Sequence, residues 1–162
     1  MLAGRPFVND IHASSEALLP YTSETVNPDT VAEDAARMAD NLAALAAQVE
    51  SYGGIFLYVG VPNQYSVYRA GYPAYMDYIA EGLDASAGAF YAALETRGVA
   101  YLDIGTALDG IETYYFKTDH HMNLPGSVET CRLIFDALRG MGAEIPDHLA
   151  DVSFRTLPNP FY

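Results

Sequence analysis

The chain has 162 residues, 51% of them hydrophobic, with eight basic against twenty-one acidic side chains and a formal charge of −13. That length and apolar content suit one well-buried domain and exclude two. The acidity excludes a nucleic-acid or anionic-membrane partner, because no Lys/Arg cluster offers a local exception to phosphate repulsion.

Residues 1–26 lack periodicity, carry Pro6 and Pro20 in a Ser/Thr scatter, and read as an irregular lead-in. Residues 27–162 read as a single α/β domain. Asn27-Pro28 looks like an N-cap with proline at the first helical position. Val31, Ala35, Met38, Leu42, Leu45, Val49 and Tyr52 then form an apolar helical stripe, stopped by Gly53-Gly54. The run from Ile55 to Val61 has no alternation and fits a strand covered on both faces. A second helix over 73–97 turns Tyr75, Ile79, Leu83, Phe90 and Leu94 inward, and Val99 to Ile104 is the next strand. A loop follows, then a helix over 125–141 with Val128, Cys131, Ile134 and Leu138 on one face. Val152-Ser153-Phe154 is a candidate edge strand in a proline-rich tail. This order is that of a three-layer α/β domain with a mainly parallel sheet, in which sites form beyond the carboxyl ends of the strands. No apolar run is long enough to cross a bilayer and no Arg/Lys-led signal peptide opens the chain, so the expectation is a soluble domain without membrane insertion.

The chemistry concentrates in Tyr114-Tyr115-Phe116-Lys117-Thr118-Asp119-His120-His121. Asp119 and His121, one residue apart, can project to one side, so that the carboxylate orients the imidazole and its other nitrogen accepts a proton from a hydroxyl. A turn-capping role for Asp119 ahead of the next helix fits the same spacing. His120 alternates in direction with His121 and is expected to point away as a structural hydrogen bonder. Adjacent histidines chelate one ion poorly, even with Asp103 or His148 added, so no metal and no cofactor is expected. His12 and His148 fall in irregular, solvated segments. Asn63, after Pro62, either donates to an oxyanion or closes a turn. Lys117 either supports an anionic group or is solvated, Asp103 ends a strand as a site residue or a cap, and Tyr115 is a secondary candidate in the same string. No Gly-Asp-Ser or Gly-x-Ser-x-Gly elbow and no glycine-rich phosphate loop occurs. Ser127 falls in the first turn of a helix and Ser153 in the weak edge strand, so neither is a convincing nucleophile. The lone Cys131 cannot close an internal disulfide. Thirteen tyrosines without tryptophan suit carbohydrate or peptide stacking, and core packing equally. A stacking role requires an exposed patch around Tyr65, Tyr68, Tyr72 and Tyr75.

The strand and turn Phe56 to Pro62, Val67-Tyr68, Pro73, the strand Val99 to Ile104 and above all Tyr114 to His121 resemble the DHHW proteins. That family belongs to the SGNH-hydrolase-like group, which includes the alginate-acetylation proteins of bacterial cell envelopes. Gly126 and the helix after it also fit, and the likeness covers most of residues 25–141. It implies a flavodoxin-like α/β sheet carrying a Ser-His-Asp O-acetyl esterase or acetyltransferase site, with Asp119 as orienting acid and His121 as general base. It further implies an acetylated polysaccharide as partner and an extracytoplasmic or cell-envelope address. Met122 stands where the family has Trp, and Asn123 where it often has Thr or Ser. The family's serine follows the DHH segment on a later turn, so the expectation is a domain lacking the family's C-terminal portion. The alternative is a catalytically silent α/β domain binding carbohydrate or a protein partner.

Overall fold

In the computed structural model the described residues are 7–8, 11–13, 18–20, 26–72, 74, 77–117 and 120–155. Its organising element is a parallel pair of strands. β4 (Tyr58–Gly60) runs beside β5 (Tyr101–Asp103) in the register Tyr58↔Tyr101, Val59↔Leu102, Gly60↔Asp103. Helix α1 (Val31–Ser51) leads into β4, and helix α3 (Asp77–Thr96) forms the crossover to β5. A parallel pair needs such a long return, because both strands must enter from the same end. The expected α/β arrangement is therefore present. Both strands are shorter than their apolar runs, however: Ile55 and Val61 are exposed, and β4 is only partly covered.

The main core lies between α1, α3 and one face of the sheet. Ala35, Ala39, Phe90, Leu94 and Val99 are buried together, with Leu42, Phe56, Tyr58, Tyr91 and Tyr101 packed around them. The inward face of α1 is rotated from the stripe read in sequence. Ala35, Ala39 and Ala46 are buried, whereas Met38, Leu45 and Tyr52 are 50%, 46% and 83% exposed. Small side chains let α1 approach α3 closely, and the bulk comes from Phe90 and Leu94 on the partner helix. Arg97, just after α3, closes the pair with an ion pair to Asp40 of α1 at 2.6 Å.

Local punctuation differs from the sequence reading at the start of α1. Asn27 caps a turn, accepting from the Asp29 amide at 3.1 Å, and the helix begins after Thr30. The end of α3 follows the rules for helix termini. Gly98, at φ 67°, takes the left-handed conformation that glycine adopts without steric cost, and Val99 N–H returns to Leu94 O at 3.0 Å.

Within the lead-in, expected to be irregular, β1 (Phe7–Val8), β2 (Ile11–Ala13) and β3 (Leu18–Pro20) form an antiparallel meander in the order β1-β2-β3. His12 is thus in a strand. Segments of two or three residues are too short for alternation to show in sequence. After β4 come α2 (Gln64–Val67) and a 3-10 turn at Arg69–Gly71; after β5 come α4 (Ile104–Ala107) and a 3-10 turn at Ile111–Tyr114. Helix α5 (Leu124–Gly140) follows. Its buried positions are Gly126 and Thr130, and Cys131, expected inward, is exposed. Residues 152–155 are not a strand; Arg132 of α5 instead donates to the carbonyls of Leu149 and Val152 at 3.0 and 3.1 Å.

Burial pushes the phenols of Tyr72 and Tyr91 up to about 12, Tyr91 also under the influence of the Asp103 carboxylate. A phenol that stays protonated in the fold but ionises in the unfolded chain makes stability fall as pH rises. Stability should therefore hold up to the ordinary tyrosine value of 10.0 and decline as pH climbs towards about 12. Urea unfolding followed by circular dichroism across that window checks this, and Tyr91→Phe should flatten part of the decline.

Candidate active site

The carboxyl ends of β4 and β5 form a rim shared by two short helices. Asn63 Oδ1 caps α2, accepting from Ser66 N–H at 2.9 Å, and Asp103 Oδ1 caps α4, accepting from Gly105 N–H at 2.9 Å. Both side chains thus serve as caps, the role the sequence offers as one of two for Asp103, whereas for Asn63 it offers an oxyanion donor or a turn former. Gln64, at 2% exposure, points away from its helix and donates from Nε2 to the Phe116 carbonyl at 2.7 Å. The buried Tyr115 hydroxyl donates to the Pro62 carbonyl. Tyr68 donates to the carbonyl of Glu112, and at 3.4 Å to that of Tyr115. These bonds span more than forty residues of sequence and dock the segment that carries the histidines onto the end of β4.

That segment is a hairpin. Tyr115 and Met122 form an antiparallel bridge, Phe116 N–H donates to His121 O at 3.1 Å, and Asn123 N–H donates to Tyr114 O at 2.8 Å. Lys117, His120 and His121 are exposed around its tip. His120 does not point away from His121: the two ring centroids are 4.1 Å apart at an interplanar angle of 33°. In a tight tip the alternation of an extended strand no longer governs side-chain direction. Asp119 lies outside the described residues.

The hairpin leads directly into α5. Asn123 Oδ1 accepts from Gly126 N–H at 2.9 Å, while its Nδ2 donates to Thr113 O at 2.9 Å. One amide therefore caps the helix and ties it to the 3-10 turn before the hairpin. Ser127 Oγ donates back to Asn123 O at 3.1 Å, inside the first helical turn as expected. Met122, standing where tryptophan was expected, accepts at Sδ from Thr130 Oγ1 at 3.2 Å.

A cavity of about 550 Å³ opens between α1, α3 and the strand ends. Asn63, Ser66, Tyr91 and Asp103 contribute to its lining; His120 and His121 do not. Tyr91 is hydrogen-bonded to Asp103, and a Cβ at Gly60 would fall 2.1 Å from its hydroxyl oxygen. Gly60 thus makes room for a phenol at the strand terminus. The expected tyrosine patch is not exposed as a whole: Tyr65 and Tyr72 are 4% and 7% exposed with their rings 4.3 Å apart, Tyr68 is half-buried, and Tyr75 lies outside the described residues. Among the described residues no group of three or more His, Cys, Asp or Glu side chains converges for a metal ion, and no helix is long and apolar enough to cross a membrane.

Residues 19–156 match the SGNH hydrolase-like domain of acetyltransferase AlgX. The chain belongs to the AlgX-type SGNH hydrolase-like family. Its α/β fold, helices around a small parallel sheet, is shared with Bacillus cereus PatB1, solved with a sulfonyl adduct, at a TM-score of 0.62 and 17% identity. The match covers 88% of this chain and 47% of PatB1, so this AlgX-type chain spans about half the length of that protein. No curated protein sequence matches it. Sequence reasoning missed Gln64 and Tyr68 as supports of this AlgX-type rim. A lone glutamine in a four-residue helix carries no periodic signal, and its role emerges only once the hairpin lies against it.

Gly126 is where helix and hairpin meet most closely: a Cβ there would fall 2.6 Å from Met122 Cγ, Tyr114 Cβ and Tyr114 O. One of the obstacles is backbone and cannot rotate away. Gly126→Ala should cost about 1–3 kcal/mol, seen as a lower urea midpoint, and should broaden the amide signals of the hairpin in NMR spectra.

Proposed function

We propose that this chain supplies the acid–base side of acyl-ester chemistry on O-acetylated polysaccharide, and that within the AlgX-type family it falls among the DHHW proteins. Asp119 orients the His121 imidazole, and His121 takes the proton of the attacking hydroxyl. The observation that carries the reading is the docking of the hairpin. Its base is held to the β4 rim by Gln64 and Tyr115, while both imidazoles stay exposed. A general base needs this combination of a fixed backbone and a solvent-accessible ring. His120, packed against His121, and Lys117 are positioned to bias approach and charge at the same tip.

The sequence carries no recognisable serine elbow, and the Ser127 hydroxyl is committed within its helix. For these residues taken by themselves the proposed activity is general-base attack by water. His121 removes a proton from water, the hydroxide adds to the acetyl carbonyl, and acetate and the alcohol are released.

Hydrolysis of 4-nitrophenyl acetate tests this. Relative to the wild-type chain, His121→Ala should lower the rate over buffer by about 10²-fold. Asp119→Asn should lower it in the same direction, and Ser127→Ala should leave it unchanged. Equal rates for wild type and His121→Ala would overturn the proposal.

A further inference from the structure

We infer that the cavity between α1, α3 and the strand ends is a binding site for an uncharged or amino-bearing sugar unit, and that it rejects uronates. The inference rests on the polysaccharide reading proposed above but not on the role of His121, which does not line this cavity. At about 550 Å³ the space is of small-ligand size, such sites typically holding about 300–1,000 Å³. Its wall is apolar on the helix side, where Met38, Leu83 and Phe90 face it, and polar at the strand ends, where Asn63, Ser66, Asp103 and Thr106 do. A pyranose has the same division, with an apolar C–H face and a girdle of hydroxyls.

The polar groups are already oriented. Asn63 commits Oδ1 to the Ser66 amide, which leaves its Nδ2 hydrogens as donors. The Asp103 carboxylate is held by Gly105 N–H and the Tyr91 hydroxyl and retains further lone pairs as acceptors. Adjacent donor and acceptor groups suit vicinal hydroxyls.

Charge selects among sugars. Three carboxylates line the cavity, and no Lys or Arg does among the described residues. Asp34 and Asp84 are balanced by Arg37 at 2.6 Å and Arg69 at 2.8 Å. Asp103 has no cationic partner among the described residues. An incoming carboxylate meets that charge without compensation, whereas a hydroxyl or an ammonium group meets an acceptor.

The test uses the full 162-residue chain with methyl glycosides of glucose, glucosamine and glucuronate as probes, read by saturation-transfer NMR, titration and amide shift mapping. Glucoside and glucosaminide should bind with the largest shifts at Ser66 and Gly105, and glucuronide about tenfold more weakly. Thr106→Lys, at an exposed position, should reverse that preference without touching a cap. Asp103→Asn should narrow it while retaining glucoside binding. Glucuronide binding as tight as glucoside, shifts confined to the 115–122 hairpin, or no saturation transfer from any probe would each overturn the assignment.

Discussion

Two long-range hydrogen bonds hold the functional end of this molecule together: Tyr115 hydroxyl to Pro62 carbonyl, and Gln64 amide to Phe116 carbonyl. Each joins a carbonyl outside any strand ladder to a donor more than fifty residues away in sequence. Both donors sit on buried residues, so neither bond can be lost without leaving a desolvated donor behind. The two bonds also run in opposite senses, one donor from the hairpin and one from the rim. That reciprocity fixes the hairpin in position as well as in distance. The imidazoles ride on a base whose place is set by the end of β4, and α5 starts where Asn123 closes the same unit.

The strand ends divide two kinds of chemistry. The exposed histidine hairpin is bonded to the Pro62 carbonyl at the β4 end, while the acidic cavity is lined by the strand ends and by neither histidine. Asn63 and Asp103 belong to the boundary, each capping a four-residue helix with one oxygen. Helices that short have little stability of their own, so these caps matter more than they would on a long helix. In exchange the cap orients the rest of the side chain, turning a flexible amide and a carboxylate into fixed groups.

Sequence patterns carried the helix–strand–helix–strand order and the presence of the DHH string near the rim, because long helices and apolar runs have periods that survive without a structure. They failed in identifiable ways. The α1 stripe includes Ala35 and Leu42, which do pack on the core, but also Met38, Leu45 and Tyr52, which are exposed while Ala39 and Ala46 are buried instead. Asn27-Pro28 has helix-start chemistry but forms a turn three residues early. Tyr65 and Tyr72 could not be told from surface aromatics, since a tyrosine has the same letter whether its ring stacks on a ligand or on another tyrosine. Gln64 was invisible for a related reason: its partner is a backbone carbonyl, which no sequence displays. The side chain of Asp119 lies outside the described residues, so the proposed acid–base pair rests on His121 and on family likeness.

The two-stranded sheet has a colloidal consequence. Among the described residues β4 pairs only with β5, so each strand keeps one backbone edge without a strand partner. Open edges are templates for pairing between molecules, and Leu45 and Tyr52 add apolar surface nearby in sequence. What keeps copies apart in dilute neutral solution is the net charge of −13. That repulsion vanishes near pH 4.4 and is screened by salt, so mild acid or concentrated salt removes this barrier to edge pairing. The acidity is then less an address label than the dispersant for an open-edged sheet.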